Sequence, residues 1–299
     1  MKPNFLIIGA AKAGTTSLYD YLSQHPDVYM CPLKEPKFFS LEGHKLDFAG
    51  PGDRRANRRT VTDWDTYQGL FEHSPMKRAT GEKSPIYLYD KATPQRIKRY
   101  VPDAKIIVVL RNPVARAYSN YVHMVRDSRE PLTDFTDALA AEPARIRANW
   151  AYGWHYKQMG FYAEQLQRYY DLFDDSQIRV FLYDDLRTQP AAMIRSLFEF
   201  IEVDPSFEPD MSFRENKTGI PRSARLQLFL KYKHPLKSIV KPFIPSSWRR
   251  SLRVAVTNRN LTPAQKLTET ARQQLLADYA EDITNLQDLI KRDLTAWLQ

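Results

Sequence analysis

Residues Phe5-Leu6-Ile7-Ile8-Gly9-Ala10-Ala11-Lys12-Ala13-Gly14-Thr15-Thr16-Ser17-Leu18 place an apolar run, a glycine-bounded turn and a helix start in immediate succession. Phe5–Ile8 reads as a buried strand, and Thr15-Thr16-Ser17 opens a helix carrying Leu18, Tyr21 and Leu22. Backbone N–H groups at such a helix start converge on one spot, where the helix dipole also favours an anion. The spacing of Gly9 and Gly14 matches a nucleotide-binding P-loop, which then requires Lys followed by Ser or Thr. Thr15 and Thr16 hold those positions here, and the loop's lysine is Lys12. The cradle therefore suits an anionic nucleotide bound differently from ATP–Mg²⁺.

Organisation along the chain agrees with that start. Further strands are expected at Arg78–Gly81, Lys105–Leu110 and Ile178–Tyr183. Helices are expected at Thr16–Gln24, Thr93–Tyr100, Val114–Val125, Phe161–Phe173 and Ala191–Ile201. Alternation of this kind implies an α/β chain: a P-loop-like three-layer fold with a central, mainly parallel sheet flanked by helices. Ligands then bind beyond the carboxyl ends of the strands. The 299 residues, 43% of them hydrophobic, suit one domain over 1–299. Insertions are expected near 43–62 and 126–152. One amphipathic helix is expected over Thr262–Leu298, with Pro263 near its start and a stripe of Leu275, Tyr279, Ile283, Leu286 and Ile290.

The net charge of +9 points to anionic partners: a polyphosphorylated nucleotide, an acidic polymer or a membrane surface. A lone cysteine, Cys31, excludes an internal disulfide and reads as packing rather than nucleophile. No run approaches the ~20 apolar residues of a membrane span, and the chain enters a strand at once, so a cytoplasmic protein is expected. The basic, aromatic segment 232–253 fits either a contact with acidic glycan or anionic lipid, peripheral to a membrane, or a solvated loop.

A second phosphate site is legible in Val108-Val-Leu-Arg111-Asn112-Pro113 and Ser119. Arg111 ends a strand, Asn112 can cap the next helix and Pro113 suits its first turn. A guanidinium fork and a hydroxyl would then share a phosphate. Taken alone, a strand-end Arg capping carbonyls and an ordinary helical Ser fit equally well.

Together, Lys12-Ala13-Gly14-Thr15-Thr16 and Arg111-Asn112-Pro113 with Ser119 resemble the sulfotransferases that use 3′-phosphoadenosine-5′-phosphosulfate (PAPS) and release 3′-phosphoadenosine-5′-phosphate (PAP). The resemblance implies that Lys12, Ala13, Gly14, Thr15, Thr16 and Ser17 hold the 5′-phosphosulfate, and that Arg111 and Ser119 hold the 3′-phosphate. A late loop, Asn216-Lys217-Thr218-Gly219-Ile-Pro-Arg222, stands where family members close over the nucleotide; it departs from the expected Lys-Gly-Arg form and suggests Lys217, Gly219 and Arg222. Trp154, Tyr156 and Tyr183 are equal candidates for stacking on adenine.

Within the family, Lys34-Glu35-Pro36-Lys37-Phe38-Phe39 and Glu82-Lys83-Ser84-Pro85 with Tyr87 resemble the carbohydrate, heparan-sulfate-type branch. Small-molecule enzymes of the family use a His in about the second region, and Ala79–Ile97 contains none. The resemblance implies Glu35 as general base, and Lys12 and Lys83 as cations stabilising charge in transfer to a hydroxyl of a carbohydrate or glycolipid. Lipids and small natural products are alternative acceptors; neither metal nor nucleic acid is expected as a partner. Read singly, Glu35 between two lysines also fits a surface ion pair, Lys83 a solvated loop, and His123 and His155 alternative bases. A P-loop kinase and a non-catalytic polyanion-binding scaffold are the rival functions.

Overall fold

A computed structural model describes residues 2–72, 74, 77–212, 219–222, 261–262 and 266–299. Lys217, Pro263 and the segment 232–253 lie outside the described residues.

The centre is a parallel sheet of five strands: β1 (Phe5–Gly9), β2 (Val28–Met30), β3 (Ala79–Lys83), β4 (Lys105–Leu110) and β5 (Ile178–Leu182), in the order β2-β3-β1-β4-β5. β1 is wholly buried and β4 nearly so. That is why both read as continuous apolar runs rather than alternating ones: helices cover both faces of a parallel sheet. β3 is equally buried yet carries Thr80, Gly81, Glu82 and Lys83, so its composition reflects a site as well as a core. Gly81 is required by packing, because a Cβ there would lie 2.4 Å from the Phe5 ring across the β1–β3 register.

Connections supply the flanking helices α1 (Thr15–Leu22), α2 (Phe38–Leu41), α3 (Arg54–Arg59), α4 (Trp64–Gly69), α5 (Thr93–Tyr100), α6 (Pro113–Arg126), α7 (Phe135–Arg147), α8 (Tyr162–Tyr170), α9 (Tyr183–Thr188) and α10 (Pro190–Phe200). The chain leaves β1 for the β3 side and later returns to the β4 side. The three central strands therefore end side by side with their following loops over one crevice. The loops after β1 and β4 carry Lys12 and Arg111, and Lys83 is the last residue of β3.

The expected helix over Thr262–Leu298 is shorter and interrupted. Leu261–Thr262 pair as a strand with Ile220–Pro221, and the C-terminal helix spans Glu269–Ile290. Thr268 Oγ1 accepts from Ala271 N–H at its start, and Lys291 in the left-handed region (φ 53°) ends it. A separate 3₁₀ turn, Thr295–Leu298, buries Trp297. Of the expected stripe, Leu275, Tyr279, Ile283 and Leu286 are buried, and Ile290, at the helix end, is only partly so.

Two buried polar hubs tie together the segments 50–53, 129–130, 145 and 151–156. Asp53, fully buried, accepts from Gly50 N–H (3.0 Å), Ala151 N–H (2.8 Å) and Trp154 Nε1 (3.3 Å), and pairs with Arg129. Glu130 and Arg145 form a buried two-point pair at 2.6 and 2.8 Å, joined by the Tyr156 hydroxyl at 2.7 Å. Bidentate geometry with a third donor is what a buried ion pair needs to offset its desolvation. Among the described residues no helix is long and apolar enough to cross a membrane.

Candidate active site

The turn after β1 is built backbone first. Ala10 N–H donates to Val109 O, tying the loop to β4, and Ala13 N–H closes on Ala10 O at 3.2 Å. Lys12 (φ 71°) and Gly14 (φ 89°) both adopt left-handed backbone. A side chain on Gly14 would also sit 2.7 Å from Leu186 and 3.2 Å from Tyr183, so glycine is required twice over. α1 then starts at Thr15 and leaves its first N–H groups without intrahelical partners, as any helix start does. The result is a concave run of donors able to take an anionic group. Ala13 is fully buried and does not line the cleft, and its N–H is taken by Ala10 O.

Lys12 lies largely buried at this turn. Desolvation, with the neighbouring Arg126 and Arg111 charges, lowers its pKa to about 8. Arg111, just beyond β4, donates to Lys12 O at 3.0 Å and stacks 4.8 Å from the Tyr183 ring centroid. Asn112 caps α6, its side chain accepting from Ala115 N–H at 3.1 Å, and Pro113 occupies the first turn. Ser119 follows on α6 and lines the same cleft as Arg111.

From the other side of β1, Lys83 closes β3. Its Nζ donates to Glu35 Oε1 at 2.9 Å and to Thr16 Oγ1 at 3.5 Å. Lys37 Nζ stands 3.8 Å from Glu35 Oε2. Burial would raise the Glu35 pKa, but the charges of Lys83 and then Lys37 overcome it and hold the carboxyl at about 2. Glu35 is thus an ionised acceptor facing the nucleotide loop. The pair with a flanking lysine is present at Lys37, and to it is added a buried partner: Lys83 is only 4% exposed, so the solvated-loop reading does not describe that lysine.

These groups line one cleft of about 910 Å³. Lys12, Gly14–Ser17, Arg111, Ser119, Tyr183 and Arg187 wall the part formed by the β1 turn and the start of α6. Beyond Glu35 and Lys83 the walls are Lys37, Arg55, Arg129 and the apolar Leu41, Phe48, Ile86, Met124 and Tyr152. Among the described residues, no group of three or more His, Cys, Asp or Glu side chains converges as a metal ligand set.

Several sequence candidates separate here. Trp154 and Tyr156 are fully buried core residues outside the cleft, whereas Tyr183 lines it. His155 is buried against Tyr89 and Trp150, and desolvation drops its pKa to about 4, so it is structural. His123 lines the cleft with its Nδ1 accepting from Arg126. Gly219 and Arg222 do not line it, although the strand Ile220–Pro221 lies against α6. Cys31 is buried, with its thiol pushed up to about 12 by desolvation and the nearby Glu82 charge, so it packs.

A nucleotide-type loop, a strand-end arginine and a carboxylate–lysine pair at the ends of three adjacent parallel strands define a P-loop-like α/β protein. The chain belongs to the sulfotransferase family, whose family model matches residues 3–209. A sulfotransferase of solved structure from Alicyclobacillus acidocaldarius superposes with a TM-score of 0.80 at 37% identity, covering 100% of both chains. Human bifunctional heparan sulfate N-deacetylase/N-sulfotransferase 3 is 31% identical over 211 residues, 69% of this chain and 23% of that protein. Mouse heparan sulfate glucosamine 3-O-sulfotransferase 6 is 32% identical over 199 residues, 67% of this chain and 52% of that protein. The chain thus spans just under a quarter and about half the length of these two relatives, respectively. Both belong to the heparan sulfate branch, the branch that the Lys34–Phe39 and Glu82–Tyr87 motifs resemble.

Proposed function

We propose that the protein transfers a sulfuryl group from PAPS to a hydroxyl of a carbohydrate or glycolipid. The observation that carries this reading is the meeting of Lys12, Lys83 and Glu35 with Arg111 and Ser119 in one cleft. The donor set fits the nucleotide: a helix-start cradle for the 5′ end, and a fork and hydroxyl for a second phosphate.

In the reaction the acceptor oxygen forms a bond to sulfur as the sulfur–oxygen bond to the 5′-phosphate breaks. The acceptor proton passes to the Glu35 carboxylate. Negative charge grows on the bridging phosphate oxygen beside Lys12, while Lys83 faces the sulfuryl oxygens. Such a loose transfer depends on positioning and fixed charge, as phosphoryl transfer does. With a pKa of about 2, Glu35 is a weak base while Lys83 is its partner. Movement of Lys83 toward the sulfuryl group strengthens the base when the donor is in place.

The deciding experiment incubates the protein with radiolabelled PAPS in EDTA and a panel of desulfated heparan-type oligosaccharides, neutral glycolipids and small phenols. Label on a saccharide is expected. Label on phenols alone would overturn the carbohydrate assignment, and tight PAP binding without label on any acceptor would favour a binding scaffold. One observation favours a second acceptor class, a lipid or small natural product: Leu41, Phe48, Ile86, Met124 and Tyr152 give the acceptor half an apolar wall.

A further inference from the structure

Glu82 is fully buried one residue before the cleft lysine and has no part in the chemistry above. Strand geometry sends Lys83 to one face of β3 and Glu82 and Ser84 to the other. On that second face Glu82 Oε2 accepts from Ser84 Oγ at 2.9 Å and Oε1 accepts from the Tyr67 hydroxyl at 3.3 Å. The Tyr87 hydroxyl bonds to the same carboxyl.

Two of these hydroxyls are also acceptors for backbone. Ser84 Oγ takes the N–H of Lys37 at 3.1 Å, and the Tyr87 hydroxyl takes the N–H of Phe39 at 3.4 Å. Those N–H groups open α2, whose flanking Lys37 offers no side-chain cap. One buried carboxyl is thus relayed through two hydroxyls to the backbone that follows Glu35. This backbone needs holding: Glu35 and Lys37 both stand in left-handed conformation at φ 61°, on either side of Pro36. The cost of such conformations for residues with a Cβ is of the same order as the hydrogen bonds that fix them.

We infer that the Glu82–Ser84–Tyr87 relay is a positioning device that fixes the Lys34–Lys37 turn and so delivers the Glu35 carboxylate to Lys83. The end of β3 and the residue after it address Glu35 twice, by Lys83 at its side chain and by Ser84 at the backbone two residues on. Burial pushes the Glu82 pKa up to about 7, because its named partners are hydroxyls rather than cations. The groups bearing on it are Tyr67, Tyr87, Ser84, the Glu35 charge and the Cys31 thiol. In accepting these O–H donors, Glu82 leaves the hydroxyl lone pairs for Lys37 and Phe39.

The inference rests on the reading of Glu35 as base only for its consequence in turnover; the geometry is tested without it. Carbon-13 NMR of labelled glutamate, with Glu35 assigned from Glu35→Gln, reads the Glu35 titration directly. Ser84→Ala and, independently, the near-isosteric Glu82→Gln are expected to raise the Glu35 midpoint by at least about one unit as the carboxylate leaves Lys83. Transfer to the best acceptor of the panel should fall about tenfold to a hundredfold, with PAP affinity within twofold of the parent. A folded variant whose Glu35 titrates as in the parent overturns the relay. Failure of both variants to fold would do the same, assigning the network to stability alone. Retention of transfer by Glu35→Gln, together with the shifted titration, would sink the base and leave the relay standing.

Discussion

Lys83 Nζ lies 2.9 Å from Glu35 Oε1 and 3.5 Å from Thr16 Oγ1, so one cation spans the carboxylate and the nucleotide loop. The consequence is asymmetric. Glu35→Gln keeps the shape and removes only the proton acceptor, so transfer should drop by at least about a hundredfold. PAP affinity, measured by calorimetry, should stay within about threefold. An equal loss in both would place Glu35 in nucleotide binding instead.

Arg111 makes a different kind of contact. Its guanidinium touches a backbone carbonyl and the Tyr183 ring, and among the described residues the one carboxylate bearing on it, Asp184, acts as a nearby charge rather than as a hydrogen-bonded partner. A fork left in that state suits a phosphate. Arg111→Ala should cost about 1.5–3 kcal/mol of PAP affinity, or roughly ten- to a hundredfold. Affinity for 5′-AMP should change little, since it lacks the 3′-phosphate. Parallel losses for the two nucleotides would assign Arg111 to the loop backbone alone.

The parts of this site that were legible in sequence are those whose signal is local. Phe5–Ile8 and Lys105–Leu110 read as strands because both faces are buried, and Asn112-Pro113 marks a helix start by its own chemistry. β2 was missed, since three residues at a sheet edge carry no period. Trp154 and Tyr156 stand level with Tyr183 as stacking candidates in the sequence, because aromatic composition does not distinguish a core from a wall. The Glu82 relay had one local trace, the two-residue spacing of Glu82 and Ser84 on one strand face; its meaning depends on Lys37, 47 positions away from Ser84. The Asp53 hub had none, for its partner Ala151 is 98 positions distant.

That hub carries a prediction of its own. Asp53 ties the 43–62 arm, with Arg55 on the cleft rim, to the 149–154 segment that carries Tyr152. Asp53→Ala removes one acceptor from several buried donors and leaves Arg129 without its carboxylate, its Nε still bonded to Pro51 O. A loss of about 3 kcal/mol in urea unfolding is expected. Because the hub makes no contact, among the described residues, with those assigned to the nucleotide, acceptor KM should rise while PAP affinity holds. Loss of nucleotide binding in folded protein would show that the two halves of the cleft are not independent.

Lys12 links stability, pH and binding. Its pKa stands at about 8, below the ordinary value for lysine, because burial and two arginines disfavour its charge. A lysine lowered in this way is charged in the unfolded chain but partly neutral in the folded one between about pH 8 and the ordinary lysine range. Folding therefore releases a proton there, and this group makes the free protein more stable as pH rises through that window. Binding runs the other way: an anionic nucleotide favours the ammonium, so PAP affinity should decline as pH climbs above about 8, with proton uptake measurable by calorimetry in buffers of different ionisation enthalpy. Lys12→Met removes the desolvated charge. It should raise the thermal midpoint of the nucleotide-free protein at pH 7 by a few degrees, flatten the pH dependence of PAP binding and abolish transfer. A midpoint that falls, with the pH dependence of binding unchanged, would show that Lys12 is neither strained by burial nor the group that answers the phosphate.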